Sequence, residues 1–353
     1  MKKVVVLGGG YGGYKIISKL VEKNIPEDVQ ILLIDRTPFH TMKTEFYALA
    51  AGTVSDKEVR MEFPEHPQVT FVCDVVTRIN LKDKNVLLGH SGVVSYDYLV
   101  IGLGCEDKYY DIKGAREFAY SVQSIENSRK TFEAVQNARP YGQITIVGAG
   151  LTGVELASEI RESRKDLKIR LLDKGSTILP ALPKKLQEHV AQWLVEHDVE
   201  IIHNSHVEYI ENGAVSNTGM CLLTDVTIWA GGIKPNSVIE PLEVKKDRYG
   251  RIVLNDFHQI PDFENVFVVG DCASLPHAPS AQLAKAQGKQ IVEVLADLVN
   301  DREPKPLPEM KIKGSLGSLG KHEGFGTAFG LSLSGSLARL MKSGVLWMHK
   351  FNK

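Results

Sequence analysis

The stretch Val4-Val5-Val6-Leu7-Gly8-Gly9-Gly10-Tyr11-Gly12-Gly13 decides the fold, and Ile144-Thr145-Ile146-Val147-Gly148-Ala149-Gly150-Leu151-Thr152-Gly153 repeats its pattern 140 residues further on. Each copy is a β-branched apolar run that ends in G-x-G-x-x-G. Each then opens a helix-like segment, Tyr14 to Glu22 in the first copy and Val154 to Arg164 in the second. The spacing has a physical reason. The first glycine permits a tight turn out of a strand, the second lets backbone approach a pyrophosphate, and the third lets helix and strand pack closely; the phosphate then rests on the helix N-terminus. A second apolar run follows each copy and closes on an acid, Ile31-Leu32-Leu33-Ile34 on Asp35 and Ile169-Arg170-Leu171-Leu172 on Asp173. An acid about 20 residues beyond the glycines accepts from a ribose hydroxyl. One such turn is weak evidence. Two, each in strand–turn–helix context with its own acid, predict two dinucleotides held at once, with electrons passing between them.

Working outward, the alternation of strand and helix patterns predicts an α/β chain with two Rossmann-like dinucleotide-binding domains and a short C-terminal segment. Strand, helix and strand fill residues 1–35, and short β-rich runs lead to Tyr98-Leu99-Val100-Ile101-Gly102-Leu103-Gly104. The second unit begins near Gln143 and ends in Val226-Thr227-Ile228-Trp229-Ala230-Gly231-Gly232. The chain returns through Val266-Phe267-Val268-Val269-Gly270-Asp271 to a long helical pattern from Ala281 to Asn300. The Pro-rich piece Glu303-Pro304-Lys305-Pro306-Leu307-Pro308 then reads as a linker.

A length of 353 residues accommodates two or three domains. A net charge of −1 supplies no basic field for nucleic acid. The N-terminus enters a strand within three residues, so no signal peptide is expected. No apolar run approaches the roughly 18 to 20 residues of a membrane span, and the expected location is cytoplasmic. The cysteines Cys73, Cys105, Cys221 and Cys272 show no C-x-x-C, C-x4-C or metal-like spacing. That spacing argues against a dithiol reductase and predicts no metal site. A pair distant in sequence, such as Cys105 with Cys272, stays open beside the reading of four small hydrophobes.

These motifs resemble the flavoprotein pyridine-nucleotide oxidoreductases of the glutathione-reductase fold and, within them, the type II NADH dehydrogenases, over essentially residues 1–340. Gly270-Asp271 resembles the group's third FAD motif, and Ala281-Gln282-Leu283-Ala284-Lys285-Ala286-Gln287-Gly288 its quinone-side A-Q-x-A-x-Q-Q-G, with Ala286 where glutamine is usual. Gly153-Val154-Glu155-Leu156-Ala157 resembles its nicotinamide-side G-V-E-L-A. The resemblance implies an NAD domain inserted into an FAD domain, with residues 1–112 and 236–310 forming the FAD part, 113–235 the NAD part and 311–353 a C-terminal segment. It implies FAD held by Gly8, Gly10, Tyr11, Gly12, Gly13, Asp35, Arg36, Gly102, Gly104, Asp271, Ala281 and Gln282. NADH would be held by Gly148, Gly150, Leu151, Thr152, Gly153, Glu155, Asp173 and Gly232. Glu155 and Gln282 would be catalytic, and Gln282, Lys285 and Ala286 would meet a quinone. The alternative is a soluble NADH diaphorase, or a redox sensor that binds flavin and NADH and acts on a protein partner.

Asp173 favours NADH over NADPH, because a carboxylate repels a 2′-phosphate; Arg170 is the competing basic group. Glu155 early in its helix serves either the macrodipole or the nicotinamide. Ser280 is the expected N-cap of the helix that Gln282 opens. His40 near the first turn reads equally as a flavin neighbour or a loop cap. The stretch from Leu331 to Phe351 is free of acids and carries Arg339, Lys342 and Lys350, with Lys353 beyond it. Leu337, Leu340, Met341, Val345 and Met348 share one helical face. This is the pattern of a basic helix peripheral to a membrane; a homodimer contact or docking on the chain's own domain are the other readings.

Overall fold

The computed structural model describes residues 2–23 and 25–351. It forms two compact units, one of Met1–Met42, Arg60–Glu106 and Lys234–Ile312, the other of Lys43–Val59, Asp107–Ile233 and Lys313–Lys353.

In the first unit a six-stranded sheet runs in the order Gln259–Ile260, Phe263–Val268, Tyr98–Ile101, Lys3–Leu7, Gln30–Asp35, Val69–Cys73. All pairings are parallel except that of the edge strand Gln259–Ile260. Val4 to Leu7 are wholly excluded from solvent, as a central parallel strand covered on both faces requires. Alternation sends Val4 and Val6 into a core with Ile16, Ile17, Ile291 and Leu295, from the helices Tyr11–Leu20 and Ala281–Val299. Val5 and Leu7 point to the other face, against Val76, Ile79, Val86 and Leu88. The strand order reverses at Lys3–Leu7, where an open parallel sheet leaves a crevice for ligand at the strand's C-terminal end.

The second unit repeats that plan. Its parallel sheet runs Tyr120–Ser121, Val226–Trp229, Gln143–Val147, Lys168–Leu172, Val199–Ile202, with Gln143–Val147 at the reversal. An antiparallel sheet of Gly314–Leu319, Glu323–Ala328 and Leu331–Gly335 and the helix Ser336–Phe351 belong to the same unit.

Three boundaries differ from expectation. The first crossing falls after Glu106 rather than residue 112, and the second after Ile233 rather than residue 235. Residues 43–59, with the helix Phe46–Ala51, leave the first unit for the second. The C-terminal segment is no separate piece. Within it, the first five residues of the acid-free stretch, Leu331–Gly335, are a strand paired with Glu323–Ala328, and the helix starts only at Ser336, past Gly335 at φ +74°. Lys353 lies outside the described residues, as does the side chain of Phe351.

Candidate dinucleotide sites and a buried ionic cluster

In the first unit the chain leaves Lys3–Leu7 through Gly8 at φ +92°, pressed so closely on the Gly102 carbonyl that no side chain fits. Gly10 caps the helix Tyr11–Leu20 in extended conformation with no side-chain capping bond, and the space where a Cβ would stand is open. The first-turn N–H groups therefore meet a cradle that suits a pyrophosphate. Asp35 folds back over this turn. One oxygen accepts from Gly9 N at 2.6 Å and the other from Thr37 N at 2.8 Å, which leaves lone pairs for a ribose hydroxyl. Arg36 beside it is exposed. His40 is buried, and burial lowers its pKa to about 4, so the ring is neutral and Nδ1–H donates to Gly9 O at 2.8 Å. That bond makes His40 a brace of the glycine turn. Tyr11 and Tyr14 flank its ring at centroid distances of 5.1 and 4.6 Å.

The Gly270-Asp271 turn is held from behind by a residue that the sequence pattern placed in the quinone-side motif. Gln287, fully buried in the helix Ala281–Val299, accepts from Gly270 N at 2.9 Å and donates to Val268 O at 2.9 Å. His258 stands next to it and is tied to Gln290 at 2.7 Å. Ser280 is the expected cap, its hydroxyl accepting from Leu283 N at 3.1 Å. Ala281, Gln282, Lys285 and Ala286 are half-buried along the start of that helix. The Lys285 ammonium lies 5.5 Å from the Tyr11 ring centroid, its pKa lowered by burial and by Lys15 and Lys289.

The second cradle copies the first. Gly148 at φ +108° is pressed on Ala230, Gly153 packs on Gly148, and Gly150 begins the helix Leu151–Ser163 with open space beyond it. Asp173 accepts from Ala149 N at 2.7 Å and from Gly175 N at 2.7 Å. Arg170 is directed elsewhere, its Nε donating to Glu200 at 2.7 Å across the neighbouring strand. Gly232 lies against the Tyr110 ring, over which the Lys108 and Lys174 ammoniums sit at 4.8 and 5.7 Å. Tyr110 at φ +51° and these two lysines carry no motif and were invisible in the sequence.

Glu155 lies beyond the first turn of its helix and is buried, so stabilisation of the helix end is not its role. It accepts from Lys342 and from Ser318 N at 3.0 Å, while Lys342 also donates to the Tyr47 hydroxyl. Glu45 and Glu159 share the pocket, with Thr53 donating to Glu159. Lys342 is 6% exposed, so the expected basic face of the C-terminal helix loses its central charge to the interior. Arg339 turns back to the Lys321 carbonyl at 3.2 Å. The helix exposes Leu337, Leu340, Val345, Trp347 and Met348 alongside Ser336 and Ser343.

Among the described residues Cys73, Cys105, Cys221 and Cys272 form no disulfide. Cys272 is buried, donates to Gly104 O at 3.1 Å, and burial pushes its thiol up to about 12. A thiol so held is a poor source of thiolate, and no disulfide joins it to Cys105. Among the described residues no His, Cys, Asp or Glu group is arranged to hold a metal, and no helix is long and apolar enough to cross a membrane.

Residues 2–288 match the family model of pyridine nucleotide-disulphide oxidoreductases. The chain is 49% identical over 351 residues to the NADH dehydrogenase-like protein YutJ of Bacillus subtilis, covering 99% of each chain. It is 26% identical over 377 residues to the type II NADH:quinone oxidoreductase of Staphylococcus aureus, covering 97% of this chain and 93% of the other. In fold it is similar to NDH2 from Plasmodium falciparum solved with NADH, at a TM-score of 0.86 and 17% identity over 99% and 95% of the two chains. Two glycine cradles with folded-back acids fit the two dinucleotides of such enzymes, and the chain belongs to the pyridine nucleotide-disulphide oxidoreductase family as an NADH-dependent flavin oxidoreductase.

Proposed function

We propose that the protein passes the electrons of NADH to a quinone, docking on a membrane surface through its C-terminal helix. The observation that carries the reading is the pair of cradles, each with a side-chain-free helix N-terminus and an acid bound to its glycine turn. When bound, FAD supplies the centre that takes a hydride and releases two electrons. The chain's own residues do the rest. Gly8, Gly10, Tyr11, Gly12, Gly13, Asp35, Arg36, Gly102, Gly104 and Asp271 would hold it, and the helix opened by Ala281 and Gln282 favours negative charge near its first turn. Gly148, Gly150, Leu151, Thr152, Gly153, Asp173 and Gly232 hold NADH, with Asp173 accepting from the 2′-hydroxyl. The balance is NADH + H⁺ + quinone → NAD⁺ + quinol. Likeness to the S. aureus enzyme along nearly its whole length supports quinone as acceptor, with Gln282, Lys285 and Ala286 as its contacts.

A hydrophobic acceptor needs an apolar approach, and Leu340 and Trp347, 69% and 60% exposed, offer one. Because Lys342 is internal, docking rests on apolar insertion more than on charge and should change little with salt. The test compares quinone with ferricyanide as acceptor and measures sedimentation with anionic liposomes. Leu340→Glu with Trp347→Glu should abolish sedimentation and spare ferricyanide reduction. Gln282→Ala should lower quinone reduction more than ferricyanide reduction. Wild-type protein that reduces ferricyanide but no quinone would sink the acceptor assignment.

A further inference from the structure

The second unit carries a cavity of about 480 Å³ beside its edge strand Tyr120–Ser121, and none of the lining residues belongs to a glycine turn. Thr227, within the strand Val226–Trp229, forms part of its floor. Thr227 pairs with Thr145, three residues short of Gly148. A strand advances about 3.3 Å per residue, so this floor and the NADH turn lie about 10 Å apart along the sheet.

The lining holds polar groups that the fold leaves unused. Thr227 is 3% exposed, and its hydroxyl has no hydrogen-bond partner among the described residues. A hydroxyl buried without a partner costs free energy, which a ligand that bonds to it would recover. Asn127 and Lys130 stand one turn apart on the helix Ile125–Asn137 and face the cavity together. Arg116 faces it from the helix Ala115–Phe118, its guanidinium 5.1 Å from the Tyr109 ring centroid. Neither cation forms an ion pair among the described residues. The acids of the lining are Asp225 and Glu117. Asp225 is already taken, by Arg139 at 2.8 Å and by Gln143 N at 2.7 Å, and Glu117 is exposed to solvent. Phe118 and Tyr120 leave their rings more than a third exposed on the same cavity.

We propose that this cavity binds a nucleoside monophosphate, at a site separate from both dinucleotide cradles. Each part of such a ligand has its counterpart. A phosphate monoester carries a charge of about −2 near neutral pH, and Arg116 and Lys130 supply two unclaimed positive charges. The base stacks on the rings of Phe118 and Tyr120, a contact open to any base because every base has a π-face. The ribose hydroxyls meet Thr227 and Asn127, whose side chains offer both donors and acceptors. The volume lies within the range of roughly 300–1,000 Å³ usual for small-molecule sites. Nothing in this site depends on which acceptor takes the electrons of NADH.

The experiment is calorimetric titration of the FAD-loaded protein, with NAD⁺ saturating so that both cradles are filled, by AMP, GMP, CMP and UMP. One site per chain should bind at least one of them with a Kd below about 1 mM. Adenosine and inorganic phosphate should each bind at least about tenfold more weakly than AMP, since each lacks half of the contacts. Arg116→Ala combined with Lys130→Ala should raise the Kd at least about tenfold. Thr227→Val, which keeps the shape and removes the hydroxyl, should raise it about fivefold. Ferricyanide reduction by NADH and the melting temperature should stay at wild-type values in the double variant, which shows that it is folded. Binding by none of the four nucleotides overturns the proposal, as does binding that saturating NAD⁺ abolishes, since that would place the nucleotide in the NADH cradle. Phosphate as tight as AMP would mean a simple anion site. Affinities unchanged in both variants would place the ligand elsewhere on the chain, and either result overturns the assignment.

Discussion

The two glycine turns are built alike, and their helices have gone separate ways. Gly8 and Gly148 share a positive φ, Gly10 and Gly150 the same open space, and Asp35 and Asp173 the same pair of backbone donors. Beyond the turn, the helix Tyr11–Leu20 is flanked by a neutral histidine and aromatic rings and packs by Gly12 against Gly288. The helix Leu151–Ser163 instead buries two acids, Glu155 paired with Lys342 and Glu159 bonded by Thr53. One turn geometry therefore serves two cofactors, and the residues around it assign different work. The first cradle is braced by His40, while the helix of the second carries its acids into a buried ionic cluster.

The comparison breaks most sharply at the two open glycines. Gly10→Val should weaken FAD binding by about 100-fold, because the added methyls stand where the pyrophosphate would lie and strain no packed neighbour. Purified protein should be colourless yet fold. Gly150→Val should stay yellow and lose reduction by NADH in anaerobic stopped-flow. If either variant loses both cofactors, the cradles are not independent.

Next in size is Lys342→Met, which leaves Glu155, Glu159 and Glu45 without their shared cation. A buried pair broken on one side costs about 3–5 kcal/mol. Thermal unfolding should show the loss, and lowering the pH should recover part of it as the carboxyls protonate. A variant as stable as wild type at neutral pH would show that water reaches the cluster.

The smallest effect separates NADH from NADPH. Asp173→Ser removes the charge facing the 2′ position and should bring the kcat/KM ratio for the two nucleotides closer by about tenfold. No change would mean that Lys174 or Lys108 governs the choice.

Much of this was readable in the chain. The apolar runs before Gly8 and Gly148, the offsets to Asp35 and Asp173, and the Ser280 cap are local signals, set by turn sterics, strand period and capping geometry over a few residues. The reading failed where contacts join distant segments. Lys342 lies on an acid-free helix, and its pattern pointed to a solvated basic face. Nothing near it in sequence signals that Glu155, 187 positions away, is its partner. Gln287 read as part of a quinone motif, and its bonds to Gly270 and Val268 make it a support of the FAD turn.

By itself the sequence determined two glycine cradles and which glycines and acids form each, because those features depend on backbone conformation within one strand–turn–helix. Tertiary structure alone decided that residues 43–59 and the C-terminal segment join the second unit, and that Glu45, Glu155, Glu159, Tyr47 and Lys342 meet in one buried network. The physical reason is that burying a charge is costly without a partner. Which partner serves is settled by packing among segments hundreds of residues apart, where no periodicity or spacing records it.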